Sequence, residues 1–184
     1  MIRALPPAKV ESAHLPRDED IAKMTQDQSQ FVTLGLDGEV FGLPVALVRE
    51  ILDYRHITKL PQAPAYVLGM IDVRGEAVPI IDLRAKLGLS CVAATEASRL
   101  IVVDILLSGR DASLGLLVDC VFEVTELDRD AIDPPPNVGG RWRAECIRGI
   151  GRRNGAFVVV FDLPRLLAEE DIALMAATGA PRAA

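Results

Sequence analysis

The sequence predicts an all-β protein built from two small β-barrels that pack together. Short apolar runs typical of strands are closely spaced, turn signals separate them, and only one substantial helix is expected, at the C-terminus. A unit of four or five strands exposes apolar surface when it is alone, so the two units are expected to share an interface.

The segment 69–83 organises the chain and reads G-M-I-D-V-R-G-E-A-V-P-I-I-D-L. Two apolar runs are split by Arg74, Gly75 and Glu76, which predicts a tight β-hairpin. Asp82 ends the second run and precedes Leu83, a pattern typical of a helix N-cap.

The same pattern returns eighty positions later, since the segment 149–163 repeats the hairpin and its final Asp-Leu. The segment 42–51 also matches 115–124, at an offset of seventy-three. Two matching pairs in the same order indicate an internal duplication of one β-rich unit.

The strands follow from local signals along the chain. Asp37 and Gly38 supply hairpin-turn chemistry, and the nearly all-apolar run 100–107 predicts a strand buried on both faces. The prolines of the segment 133–140 predict a loop. Strands are expected at 31–36, 39–43, 50–54, 69–73, 77–81, 100–107, 112–118, 120–127, 146–151 and 156–161.

Helical turns are expected at 44–48 and 83–87. An amphipathic helix is expected to close the chain, because apolar residues recur at helical spacing. These residues are Leu163, Leu166, Leu167, Ile172 and Met175.

The expected organisation is a disordered leader, a globular body and a flexible tail. The leader spans 1–29, the body 30–176 and the tail 177–184. Within the body, barrel 1 is expected to comprise about 30–88 plus the C-terminal segment, and barrel 2 about 98–156.

Composition limits the classes of function. The formal net charge of −6 and the 4% aromatic content argue against a nucleic-acid-binding barrel, which needs a basic face and stacking side chains. No apolar run approaches the roughly 20 residues that span a bilayer, and no secretory signal is visible. Three cysteines without metal-type spacing favour free thiols and a cytoplasmic location.

Asp82 and Asp162 occupy equivalent positions of the two copies and suggest the carboxylate dyad of an acid protease. Each is followed by Leu with no neighbouring hydroxyl, so helix capping is the favoured interpretation and a hydrolase the alternative. The two histidines, His14 and His56, lack partners at ligand spacing. We therefore expect no catalytic residue, metal site or cofactor.

Arg141, Trp142 and Arg143 allow stacking on a nucleotide, although an anchored loop is the favoured interpretation. Arg74 at the hairpin tip is either a solvated charge or the partner of Glu50, in which case both side chains would be oriented for binding.

The run G-M-I-D-V-R-G-E-A-V-P-I-I-D-L-R at 69–84 resembles the CheW-like domains of bacterial chemotaxis coupling proteins. The segments V-R-E-I at 48–51, G-L-L-V-D-C-V-F-E-V at 115–124 and C-I-R-G-I-G at 146–151 resemble them too. The resemblance covers about 30–175. It implies two SH3-like five-stranded β-barrels and an adaptor without catalysis.

The resemblance also implies two protein partners: the cytoplasmic hairpin tip of chemoreceptors and the CheW-like regulatory domain of the histidine kinase CheA. Such an adaptor is expected in the cytoplasm, recruited to membrane-associated receptor arrays, without membrane insertion or nucleic-acid binding. Receptor docking in an apolar groove between the barrels is implied, and no kinase-contact residue is assigned. The residues matching the receptor-contact motif are Val48, Glu50, Gly69, Arg74, Gly75, Val121 and Val124.

Two positions depart from the family pattern. Asp72 stands where the family usually has Asn, which is expected to change the hydrogen bonding of the Arg74 turn. Cys120 stands where it usually has Gly, which adds bulk beside the groove.

Overall fold

The computed structural model describes residues 30–107, 109–127, 132–134, 146–153 and 155–167. The expected leader 1–29, the tail 177–184 and the Arg141–Arg143 segment lie outside the described residues. So do most of the proline-rich loop and the part of the expected C-terminal helix beyond residue 167.

Strands dominate the described chain, as predicted. They are β1 (Gln30–Leu36), β2 (Glu39–Pro44), β3 (Val48–Asp53), β4 (Val67–Val73), β5 (Glu76–Asp82), β6 (Arg99–Leu107), β7 (Arg110–Val118), β8 (Cys120–Glu126), β9 (Ile147–Arg153) and β10 (Ala156–Phe161). The expected helical turns are present as a 3-10 turn at Val45–Leu47 and the short helix α1 (Leu83–Lys86), and a second short helix, α2, spans Leu163–Leu166.

The strands form two five-stranded sheets, which confirms the predicted all-β class and the two similar units. The strand order is β8-β1-β2-β10-β9 in the first sheet and β3-β6-β7-β5-β4 in the second. Among the described residues, no hydrogen-bonded ladder joins the two edge strands of either sheet. The sheets are therefore five-stranded units without full barrel closure.

The sheets do not follow the boundaries expected for barrel 1 and barrel 2. The first sheet combines β1 and β2 with β8, β9 and β10, and the second combines β3, β4 and β5 with β6 and β7. Each sheet thus combines the first two strands of one copy with the last three strands of the other copy. A cut near residues 88–98 would divide both sheets, because the two copies exchange strands.

Strand register supports the internal duplication. Ile80 on β5 pairs in parallel with Gly115 on β7, and Val160 on β10 pairs in parallel with Gly42 on β2. The two pairs are related by the offsets of eighty and seventy-three found in the sequence. Both offsets therefore describe equivalent positions in the fold.

Among the residues that the structure describes, three groups of buried side chains stabilise this arrangement. The largest, the shared core, draws on both sheets and includes Leu34, Phe41 and Phe161 from the first and Ile101 and Leu116 from the second. A smaller group around Ile80 and Val102 belongs to the second sheet, and another around Phe31 and Val158 belongs to the first. Apolar burial of this kind is the main favourable term in folding, and here it fastens the two sheets together.

Candidate functional site

The β4–β5 hairpin places Arg74 at its tip. Val73 pairs with Glu76, so Arg74 and Gly75 are the two loop residues, with φ of 55° and 88°. Positive φ at both positions is what a type I′ hairpin turn requires. Asp72 Oδ1 accepts a hydrogen bond from the backbone N–H of Gly75 at 3.1 Å, which stabilises the turn although its first residue is not glycine.

Arg74 and Glu50 form the contact that the sequence suggested. Arg74 Nη2 lies 3.3 Å from Glu50 Oε2, and the two side chains are 81% and 18% exposed. Glu50 lies on β3 and Arg74 follows β4, and these are the two edges of the second sheet rather than neighbouring strands. The ion pair therefore bridges an open sheet across its edges.

Arg49 extends this cluster of charges on β3. Its guanidinium Nη1 lies 2.7 Å from Glu76 Oε2 and 3.7 Å from Asp104 Oδ1, and its Nε lies 3.7 Å from Glu50 Oε1. The hydrogen bond with Glu76 is the main reason that the pKa of Arg49 is raised above its ordinary value. Ion pairs near the surface add little stability. The consequence of this network is instead that it fixes the direction of the Glu50 side chain, and Glu50 in turn fixes that of Arg74.

The predicted apolar contact residues fall into two groups. Val48 pairs with Val103, and Val121 with Leu34. Both valines are half-buried against the shared core. Val124, in contrast, is 55% exposed. The structure thus places Val48 and Val121 at equivalent positions over one core and leaves Val124 on the surface of β8.

The family model for the CheW-like domain matches residues 30–171, most of the chain. The chain belongs to the CheW-like family.

Relatives with this domain are similar over most of their length. The chemotaxis protein CheW of Klebsiella aerogenes is 30% identical over 146 residues, covering 79% of this chain and 86% of the relative. The chemotaxis protein CheW of Treponema pallidum is 28% identical over 153 residues, covering 83% and 90%. The crystal structure of the scaffolding protein TtCheW from Thermoanaerobacter tengcongensis matches with a TM-score of 0.69 and 30% identity, covering 78% of this chain and 95% of that one.

Gly69 of this CheW-like domain has a packing role. It is buried on β4 with φ of 143°, and a Cβ there would collide with the Thr58 carbonyl oxygen. Met70, the residue that follows Gly69, exchanges two backbone hydrogen bonds with Thr58, at 2.9 and 2.8 Å. The missing side chain of Gly69 thus allows the β3–β4 connection to lie against the edge of β4. A contact between Gly69 and a receptor stays a prediction.

Sequence reasoning missed Arg84, whose side chain makes four hydrogen bonds near the junction of the two sheets. Its Nε and Nη2 donate to the two carboxylate oxygens of Asp119 at 2.7 and 2.8 Å. Its Nη1 donates to Asp37 Oδ1 at 3.2 Å and to the Ser90 carbonyl at 2.7 Å. The only signal in the sequence was that Asp119 is a lone charge within the apolar run 115–122.

Arg84 connects the two sheets of the CheW-like domain. It lies on α1 directly after β5 of the second sheet, whereas Asp37 lies in the β1–β2 turn of the first, and Asp119 lies where the chain crosses from β7 to β8. The hydrogen bonds from Arg84 are the main reason that the pKa of Asp119 is lowered from its ordinary value of 3.8. The same interaction raises the pKa of Arg84, so both groups are held in their charged forms.

The repeated aspartates cap the two short helices. Asp82 Oδ1 accepts from the backbone N–H groups of Arg84 and Ala85 at 2.9 and 3.3 Å. Asp162 Oδ1 accepts from that of Arg165 at 3.2 Å. Capping therefore explains both carboxylates. Among the described residues, no three or more His, Cys, Asp or Glu side chains are grouped so as to hold a metal ion.

In the part of the chain that the structure describes, no helix is long and apolar enough to cross a membrane.

The extra bulk of Cys120 is accommodated locally. Cys120 on β8 pairs with Gly35 on β1. A Cβ on Gly35 would lie only 2.7 Å from the Cys120 sulfur, which is closer than such atoms approach without one of them shifting. The absence of a side chain at Gly35 therefore makes room for the one at Cys120.

Proposed function

We propose that this CheW-like protein is a non-catalytic chemotaxis-type adaptor that couples chemoreceptors to the histidine kinase CheA. The observation that supports this most is the Glu50–Arg74 pair bridging the edges of the second sheet, with an exposed cation on a fixed hairpin. A residue arranged in this way suits recognition more than stability. Family membership and the scaffolding function named for TtCheW agree with it.

The proposed receptor partner is the helical hairpin at the cytoplasmic tip of a chemoreceptor. A helix docks onto a protein surface through apolar anchors, with charges that set its register. Val48, Val121 and the exposed Val124 would supply the anchors, and Arg74, oriented by Glu50, would supply the charge. Gly69 and Gly75 would preserve the backbone geometry on which these side chains depend.

The proposed kinase partner is the CheW-like regulatory domain of CheA, which the protein would hold under receptor control within an array. This assigns the protein to the cytoplasmic side of the membrane, where it would be recruited through its partners and without insertion. No residue of this chain is assigned to the kinase contact.

The hydrolase alternative is disfavoured by the two aspartates, because each accepts backbone hydrogen bonds at the start of its own helix. A dyad would need both carboxylates free to share a proton or a water. The nucleic-acid alternative is disfavoured by the net charge of −6.

The test is co-sedimentation of the full-length protein with a receptor cytoplasmic fragment and CheA. We expect the protein to sediment with both partners. Arg74→Ala and Glu50→Ala are expected to weaken receptor capture by about 1–3 kcal/mol if the pair is desolvated on docking. Undiminished capture by both variants would contradict the assignment of this site.

Val124→Asp is a sharper probe of the apolar contact than Val121→Asp. Val121 packs against the shared core, so its replacement by a charge is expected to damage the fold as well as the surface. Val124 is exposed, and a loss of receptor capture in Val124→Asp with unchanged thermal unfolding would report the interface alone.

A further inference from the structure

The first sheet has an ion pair at the position equivalent to Glu50–Arg74. Glu123 on β8 contacts Arg153 at the end of β9, and β8 and β9 are the two edges of that sheet. Glu123 is the duplicate of Glu50 at the offset of seventy-three, and Arg153 lies beside the hairpin turn that duplicates the Arg74 turn. Each sheet is therefore bridged across its edges by a glutamate from one edge strand and an arginine from the hairpin at the other.

The backbone of Glu123 is fixed by a buried hydroxyl. Thr33 Oγ1 donates to the Glu123 carbonyl oxygen at 2.8 Å, and the Glu123 N–H donates to the same Oγ1 at 3.3 Å. The pairing of β1 with β8 shifts register at this point, between Val32 and Leu34. The Glu123 carboxylate thus projects from a residue whose backbone N–H and carbonyl groups are both hydrogen-bonded to Thr33 Oγ1.

The exposed member of the pair differs between the two sheets. In the second sheet, the cation Arg74 is exposed and the anion Glu50 is shielded. In the first sheet, the Glu123 side chain is 52% exposed and the Arg153 side chain is 29% exposed. Within each bridge, the more exposed side chain is therefore the cation in the second sheet and the anion in the first, although the two bridges are equivalent.

We propose that Glu123 is a second charged contact for the same helical-hairpin partner, and that Arg153 is the residue that positions it. This inference depends on the proposed function. The partner would carry an acidic group opposite Arg74 and a basic group opposite Glu123. Opposite charges at two separate points permit one orientation of the partner and oppose the reversed one by placing like charges together.

The test measures the dissociation constant of the full-length protein with a receptor cytoplasmic fragment at two or more salt concentrations. We expect Glu123→Gln to weaken binding about three- to fivefold, the range for a charge at the rim of an interface, and to reduce the salt dependence. Glu123→Lys should weaken binding at least about tenfold, because it adds repulsion. Glu126→Gln is the matched control, since Glu126 lies on the same strand and its side chain contacts Gln30.

A double-mutant cycle separates positioning from a general structural effect. Arg153→Gln is expected to weaken binding in the wild-type background and to have no further effect when Glu123 is already Gln. An equal loss in both backgrounds would overturn the positioning role of Arg153. Thermal unfolding of each variant identifies losses that arise from the fold.

The possible outcomes distinguish this inference from the proposed function. If the wild-type protein binds the fragment and Arg74→Ala weakens binding while Glu123→Gln and Glu123→Lys do not, the inference is overturned and the proposed function stands. An equal effect of Glu126→Gln would also overturn it, because only the overall charge would then matter. If the wild-type protein fails to bind at all, both fail together.

Discussion

Replacing Arg84 by alanine removes the side chain that joins α1, the β1–β2 turn and the β7–β8 crossover. The Arg84 side chain is 11% exposed, and it makes two hydrogen bonds with Asp119 and two more with Asp37 and Ser90. Without Arg84, the Asp119 carboxylate keeps only the backbone N–H of Asp37 at 2.9 Å as its partner among the described residues. The variant should remain folded but should be clearly less stable.

The magnitude follows from burial. Removing one partner of a fully buried ion pair costs about 3–5 kcal/mol, and a hydrogen bond to a charged group contributes about 1.5–3 kcal/mol. Asp119 is 30% exposed, so water replaces part of what is lost. We expect the free energy of unfolding to fall by about 2–4 kcal/mol. The Tm should fall by about 2–4 °C for each kcal/mol of stability that is lost.

The assay is denaturant unfolding of Arg84→Ala beside Arg165→Ala. Arg165 lies on α2, the equivalent helix of the other copy, where its exposed side chain contacts the Asp162 carboxylate at 3.5 Å. The control should change the free energy of unfolding by no more than about 0.5 kcal/mol. Equal stability of Arg84→Ala and the wild-type protein would refute the proposed connection between the sheets.

The pair of Arg84 and Asp119 also makes the free energy of unfolding depend on pH. Because the pKa of Asp119 is lowered in the folded protein, its contribution to stability is complete above the ordinary value of 3.8 and is lost as the pH falls through the lower folded value. The difference in stability between the wild-type protein and Arg84→Ala should therefore be constant near neutral pH and shrink below about pH 4.

Three further predictions concern stability and binding. Gly69→Ala should lower the free energy of unfolding by at least about 2 kcal/mol, because its Cβ meets Thr58; Gly75→Ala, which has positive φ but open space, should cost about 1 kcal/mol. Gly35→Ala should destabilise the protein by about 1–3 kcal/mol through its contact with the Cys120 side chain, and Cys120→Ala should recover most of this loss in the double variant. Arg74→Ala should weaken receptor binding without lowering the Tm by more than about 2 °C, because the side chain is exposed; a large loss of stability would show that its role is structural.

Local signals in the sequence identified most of the individual elements. The Arg74–Gly75 turn, the caps at Asp82 and Asp162 and the strand that begins near Leu100 all depend on residues close to one another in the chain. The duplication offsets even related the parallel pairs Ile80–Gly115 and Val160–Gly42. These features were predictable because turn chemistry and apolar periodicity act within a few residues.

Long-range pairing was not predictable in the same way. Exchange of strands between the copies leaves no local signal, since β3 has the same pattern whether it pairs within its own copy or with β6. The hydrogen bonds from Arg84 to Asp119 join residues 35 positions apart, and an arginine after a helix cap usually indicates a solvated surface. For the same reason, no local signal in the sequence indicates that Glu123 is more exposed than Arg153 while Glu50 is less exposed than Arg74.

The central claim, that this protein couples receptors to a kinase, is tested most directly by the kinase activity of CheA. The measurement mixes CheA and a membrane-bound receptor with the wild-type protein, with Arg74→Ala, or with neither. We predict that CheA activity responds to receptor ligand with the wild-type protein, and that the response is reduced with Arg74→Ala and absent without the protein. Ligand control of CheA that is the same in all three mixtures would contradict the account.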